Sequence, residues 1–267
     1  MSKLFAKVCK LQIGGREINY PPMDMELDIK IAMTAVTTAE VKLYNPNEDT
    51  ISEIAKIKNG VGSNVKIYAG YAEHHGVCVD GYITTFSVKK EHVDKIITFQ
   101  VTDAGNQFDK TINKTYLNQS ASSIVSDLIS IVGANKDKIE LGRTNVFYKS
   151  FTAKRYNDAL ASILADTESI SYYQNGVLTI QPKTLTTKQK YGYLLSPSTG
   201  LINVPEKTII ETREGMKFQT LFIFNLYAGT IVRLDSKNVK GDYQIMTGKK
   251  KFSTFAKSEC EWEAVQI

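Results

Sequence analysis

Residues 60–103 alternate apolar and polar side chains with a period of two. Val65, Ile67 and Ala69 interleave with Lys66, Tyr68 and Gly70, and Ile97, Phe99 and Val101 interleave with Thr98, Gln100 and Thr102. This is the period of half-buried strands. Residues 76–89 form a longer strand between them, and the polar stretches 71–76 and 90–94 are exposed turns. Neighbours in sequence are therefore expected to pair as an antiparallel meander. Before it, the same period predicts strands over 4–13, 17–20, 26–33 and 39–44, with a turn at Gly14 and Gly15. A short helix over 50–57, capped by Thr50, ends at Lys58, Asn59 and Gly60.

After Asp103 the period changes. Residues 120–132 place Ile124, Leu128 and Ile131 on one stripe, and Gly133 stops the helix. A second helix over 156–166 buries Ala159, Leu160, Ile163 and Leu164. Asn175 and Gly176 between two β-rich runs predict a tight hairpin, because both turn positions need positive φ. Residues 183–188 form a polar exit. Strands then follow over 207–213, 216–224, 230–234, 243–247 and 261–265, with turns at Gly241 and Asp242 and at Gly248 and Lys249.

The fold class read from this pattern is mainly β with an α+β middle domain: two barrel-like antiparallel β domains flank a two-helix plus hairpin unit. The expected division is 1–113, 114–182 and 183–267, and the last part shares strands with the first if the two sheets join. No short tandem repeat is visible.

Composition narrows the function more than it names it. The chain of 267 residues is 42% hydrophobic and 23% charged, with a net charge of +5. Its longest wholly apolar run is 221–224, so no membrane insertion is expected. Lys3, Lys7 and Lys10 break any signal-peptide core, which predicts assembly in a cytoplasm. Cys9, Cys78 and Cys260 are odd in number and far apart, against a disulfide framework. The positive charge is dispersed over lysines, whereas base-specific readers lean on arginine forks.

No chemistry stands out. His74, His75, Cys78 and His92 are close in sequence, but adjacent histidines point to opposite sides of a strand. The pairs Asp24 with Glu26 and Glu261 with Glu263 have spacing of two, as solvated strand residues do. Lys249, Lys250 and Lys251 read as a basic hairpin tip. No catalytic, cofactor-binding or metal residue and no cofactor is assigned, and the chain reads as a non-enzyme. The sequence holds 14 Tyr and 11 Phe against one Trp. Tyr68, Tyr71, Tyr82, Tyr172, Tyr173, Tyr191, Tyr193 and Tyr243 exceed what cores usually take and point to self-association. Trp262 is expected to be packed.

Residues 41–46, a short helix, then 56–60 leading into 65–71 and 79–83, resemble the first β domain of phage tail baseplate hub proteins. Residues 157–164 leading to 172–178 are similar to the helix and hairpin of the same hubs. The family includes contractile bacteriocin hubs and the hub portion of type VI secretion spike proteins. The resemblance implies a homotrimer with a pseudo-sixfold ring and a central channel. It implies contacts with the tail tube protein, a spike protein and other baseplate proteins, with the tape-measure protein and DNA passing through. It places the chain in the tail baseplate of a virion or phage-tail-like particle. The end of the chain at Ile267 after a strand sets the expectation that the spike is a separate polypeptide. Two other readings compete: a tail-associated peptidoglycan hydrolase using Cys78, and a carbohydrate- or receptor-binding β module.

Overall fold

The computed structural model describes residues 6–33, 35–56, 64–103, 110–183, 192–210 and 212–267. The predicted polar exit over 184–188, Tyr191 and the helix stop at 58–60 lie outside them. Strand β1 (Lys7–Ile13) turns through Gly14 and Gly15, at φ 57° and 85°, into β2 (Arg16–Tyr20). Next come β3 (Asp24–Ala32), β4 (Ala35–Tyr44) and helix α1 (Glu48–Lys56). The cap of α1 is Asn47 rather than Thr50: the Thr50 amide donates to Asn47 Oδ1 at 2.8 Å. The turn at Asn45, which has φ 51°, and Pro46 puts Asn47 just ahead of the first helical turn, and Thr50 falls inside that turn. The meander follows as β5 (Asn64–Tyr71), β6 (His74–Glu91) and β7 (Asp94–Thr102), paired in sequence as expected.

The middle segment contains β8 (Thr111–Ser120), α2 (Ala121–Val132), β9 (Asn135–Ile139), β10 (Phe147–Arg155), α3 (Tyr156–Asp166), β11 (Ser169–Gln174) and β12 (Val177–Pro182). Ser120 caps α2 by accepting from the Ser123 amide, and Gly133 ends it at φ 70°. Asn175 and Gly176 both have positive φ, as the hairpin needs. Three strands join the expected two helices and hairpin: β8 pairs with β10, and β9 lies parallel to β12. These elements share their own hydrophobic cluster, centred on Ile124, Leu128, Tyr156, Ile163 and Leu178.

The last segment holds β13 (Tyr193–Leu195), β14 (Glu206–Ile210), β15 (Arg213–Leu221), β16 (Ile231–Asp235), β17 (Lys240–Ser253) and β18 (Glu259–Gln266). The expected turns at 241–242 and 248–249 are both inside β17, so Lys249, Lys250 and Lys251 are mid-strand rather than at a hairpin tip. Gly248 is in the strand because a neighbour needs the space: a Cβ there would sit 2.2 Å from Cε3 of Trp262. The glycine makes room for a ring, not for a turn.

Strands β14-β15-β18-β17-β3-β4-β7-β6-β5-β1-β2 form one continuous sheet, with β13 and β16 branching from β17. The order contains one arrangement twice. In β3-β4-β7-β6 and again in β14-β15-β18-β17, a hairpin lays its second strand against the closing strand of a second hairpin. The registers correspond from strand to strand, except for a bulge between Lys30 and Ala32 in the β3–β4 hairpin that β14–β15 lacks. A bulge separates Ile83↔Val101 from Thr85↔Gln100 in one copy, and Ile245↔Ala264 from Thr247↔Glu263 in the other. Each copy adds one more strand, β5 on β6 and β16 on β17. The ion pairs Lys66–Asp80, at 3.0 Å, and Arg233–Asp242, at 2.7 Å, occupy matching positions.

The two copies are joined by β17 on β3, from Thr247↔Ala32 to Ser253↔Glu26. The sheet also coils: Lys7 Nζ on β1 donates to the Ser253 carbonyl of β17 at 2.7 Å and to that of Ala256. One apolar core, including Ile29, Val41, Phe99, Phe218 and Trp262, runs beneath both copies.

Candidate assembly surface

Alternation gives the repeated strands one apolar face and one polar face. The polar face carries its charges in cross-strand rows. Gln219, Glu261, Lys249, Lys30 and Thr38 form one row, and Glu259, Lys251, Asp28, Glu40 and Gln100 form the next. Lys249 Nζ meets Asp28 Oδ2 at 2.9 Å, and Gln100 Nε2 donates to Glu40 Oε2 at 2.7 Å. Thr247 Oγ1 donates to Glu263 Oε2 at 3.1 Å. Both signs are interspersed across the face, so no strong field of one sign builds up.

Two edges of the repeated sheet have no strand partner among the described residues. β5 covers β6 only as far as Tyr82, leaving the rest of β6 paired with β7 alone. β14 pairs only with β15. Val88 on the first edge is 42% exposed, and Ile209 on the second is 77% exposed. Free edges with apolar side chains are sites for strand pairing.

The joint between the copies contains a buried cation. Lys250 stands opposite Ile29 of β3 and Cys260 of β18, on the core face. It is fully buried; its Nζ donates to the Phe224 carbonyl at 2.7 Å and lies 4.0 Å from the Tyr227 ring centre. Burial pushes its pKa down to about 8, with Cys78 and Cys260 opposing the shift. Burial pushes the thiols of Cys78 and Cys260 up to about 11 and about 12. Trp262 is packed as expected, with Nε1 donating to Thr220 Oγ1 at 2.9 Å.

The hairpin of the middle segment docks on the sheet through Tyr227. Asn175 Nδ2 donates to the Tyr227 hydroxyl at 3.2 Å, and that hydroxyl donates to the Val77 carbonyl at 2.9 Å. Asp103 is buried nearby, accepting the Thr37 amide on Oδ1 at 3.0 Å. Burial raises its pKa to about 7 against the opposing hydrogen bonds from Thr37.

The sequence candidates for chemistry are dispersed. His74 and His75 are exposed beside the β5–β6 turn, while His92 is in the turn at the far end of β6 with φ 56°. Cys78 is buried. Glu26 accepts the Tyr44 hydroxyl at 2.6 Å, and Glu261 and Glu263 stand on the polar face. No group of three or more His, Cys, Asp or Glu among the described residues could hold a metal ion. The tyrosines are more internal than expected: Tyr71, Tyr173 and Tyr243 are buried, whereas Tyr82 is 36% exposed. Two core clusters and the joint between segments absorb them, with the Tyr172 ring packed on Gly229. The surface residues that sequence reasoning missed are Val88 and Ile209, whose signal is an apolar side chain on a strand without a second neighbour.

No family model matches the sequence, and no curated protein does. The structure has solved counterparts. It is similar to a tail protein from Neisseria meningitidis, with TM-score 0.72 and 8% identity over 98% of this chain and 97% of that one. It is also similar to the 43 kDa tail protein of prophage MuSo2 from Shewanella oneidensis, with TM-score 0.73 and 10% identity over 98% of each. A third counterpart is an E. coli component of the type VI secretion system, itself described as structurally similar to T4 bacteriophage tail proteins. That match has TM-score 0.70 and 9% identity over 96% of this chain and 76% of that one. The chain thus has the mainly β fold of these phage tail and type VI secretion proteins, the fold that its sequence resemblance implied.

Proposed function

We propose that the chain is the structural hub of a phage tail or phage-tail-like particle. Three copies close into a pseudo-sixfold ring that joins a hexameric tail tube to a trimeric spike around a central channel. The observation that carries this reading is the repeated strand set. One chain presents two equivalent four-strand units side by side, joined by β17 on β3, so three chains supply six. A ring of that kind has sixfold geometry on one side and threefold identity on the other. The shared fold with tail proteins supports the same reading.

The parts then have distinct tasks. Residues 1–113 and 183–267 are the two tube-like domains, and 114–182 is an α+β unit between them. The balanced polar face lines the channel and lets the tape-measure protein and DNA pass. Tube protein, spike protein and other baseplate proteins bind the rims. The protein has no catalytic role, assembles in the bacterial host cytoplasm and resides in the tail baseplate. The test is absolute mass by light scattering across a concentration series, alone and with its neighbouring tail proteins. A mass of three chains supports the hub; a monomer with every partner refutes it.

A further inference from the structure

The repeat also specifies how one copy would meet the next. Register equates β6 with β17 and β14 with β3. Thr85↔Gln100↔Glu40↔Asp28 in the first unit matches Thr247↔Glu263↔Lys217↔Glu206 in the second. Within the chain, the last strand of the second unit pairs with the first strand of the first unit. Of the two units, the part of β6 beyond Tyr82, in the last strand of the first, and β14, the first strand of the second, are the edges left open among the described residues. They are the two edges that a second joint of the same kind would use.

We propose that the open edge of β6 pairs with the open edge of β14 of a second copy of this chain, in the register of β17 on β3. Gly248↔Ile31, Lys249↔Lys30, Lys250↔Ile29 and Lys251↔Asp28 translate into Phe86 opposite Ile209, Ser87 opposite Thr208, Val88 opposite Lys207 and Lys89 opposite Glu206. This deepens the ring reading and rests on it. Three features agree with the register. Val88 and Ile209, 42% and 77% exposed in one chain, are both covered. Lys89 meets Glu206, the same sign pattern as Lys251 with Asp28 in the internal joint. Val88 with Lys207 repeats Lys250 with Ile29 with the lysine on the other strand. Because the two edges differ, the contact is head-to-tail, and three such contacts close a ring.

The test is a cysteine pair, Ser87→Cys with Thr208→Cys, in the full chain, since directly opposed strand residues fall within disulfide reach. The native cysteines are buried. Copper phenanthroline with dissolved oxygen should give covalent species of two and three chains that a reductant dissolves. The shifted pair Ser87→Cys with Ile210→Cys should link at least tenfold more slowly. Equal linking of both pairs, or a three-chain mass with no covalent link, overturns this edge pairing while leaving the ring reading intact. A monomer in the presence of all neighbouring tail proteins overturns the ring reading and this pairing with it. As a second variant, Ile209→Asp should leave the thermal midpoint of the monomer unchanged and abolish the three-chain species; an intact three-chain species refutes the pairing.

Discussion

Lys250→Met probes the joint between the two strand units. A fall of the lysine pKa from 10.5 to about 8 on folding corresponds to about 3 kcal/mol of destabilisation at neutral pH, all of it due to burying charge. Methionine fills similar space without charge, but leaves the Phe224 carbonyl without its donor. That loss costs about 1–3 kcal/mol. The two effects nearly cancel, and the variant is expected within about 1 kcal/mol of wild type at pH 7. The pH dependence separates them. Between pH 8 and 10.5 the unfolded lysine holds its proton while the folded one loses it, so folding stability rises with pH in that window. Relative to Lys250→Met, the wild type should therefore gain about 3 kcal/mol between pH 7.5 and 10.5. Taking the difference removes the groups that titrate in the same range without touching Lys250, while Cys78 and Cys260, which interact with it, stay in the difference. Urea denaturation of both proteins at several pH values reads the effect. A difference that stays flat from pH 7.5 to 10.5 refutes the argument that Lys250 is buried as a charged group.

Three further substitutions probe Asp103, Gly248 and Tyr227. Asp103 has a folded pKa of about 7, above its unfolded value, so its stabilisation is complete below pH 4 and lost as pH rises to 7. Asp103→Asn should flatten that loss, about 4 kcal/mol by linkage, and melt higher than wild type at pH 8; a lower melting point there contradicts the reading. Gly248→Ala drives a Cβ into the Trp262 ring and should cost about 3 kcal/mol in chemical denaturation. A cost near zero would show that the ring moves freely. Tyr227→Phe removes the hydroxyl that links Asn175 to Val77. It should cost about 1–2 kcal/mol and speed hydrogen exchange in β11 and β12 before that in β17.

What was legible in the sequence is what a local pattern can carry. Helix α3 was read to the residue, and α2 to within one, because Ile124, Leu128, Leu160 and Ile163 repeat at helical spacing. Asn175 and Gly176 announced their hairpin through backbone preference alone. Strands β8 and β10 were missed because residues 111–120 and 147–155 mix exposed polar residues with few buried ones. β9 was missed because all but its last residue are exposed.

Long-range pairing was hidden for a different reason. Nothing near Lys249 says that Lys30, more than two hundred residues earlier, lies opposite. Gly248 looked like a turn because its real neighbour, Trp262, is on another strand. Two similar β domains were expected, but their strand-by-strand correspondence was hidden because the units share register, a bulge and polarity rather than residue identity. Lys66 with Asp80 and Arg233 with Asp242 do one job with different side chains. The exposure of Val88 and Ile209 is legible only once the sheet order shows which edges lack a neighbour.

The most direct test of the central claim is electron microscopy of the protein assembled with its neighbouring tail proteins, averaged in end-on views. A trimeric hub gives a ring with threefold symmetry whose wall shows six similar lobes around a hole. End-on averages without a hole, or a wall built from a number of chains other than three, would contradict it.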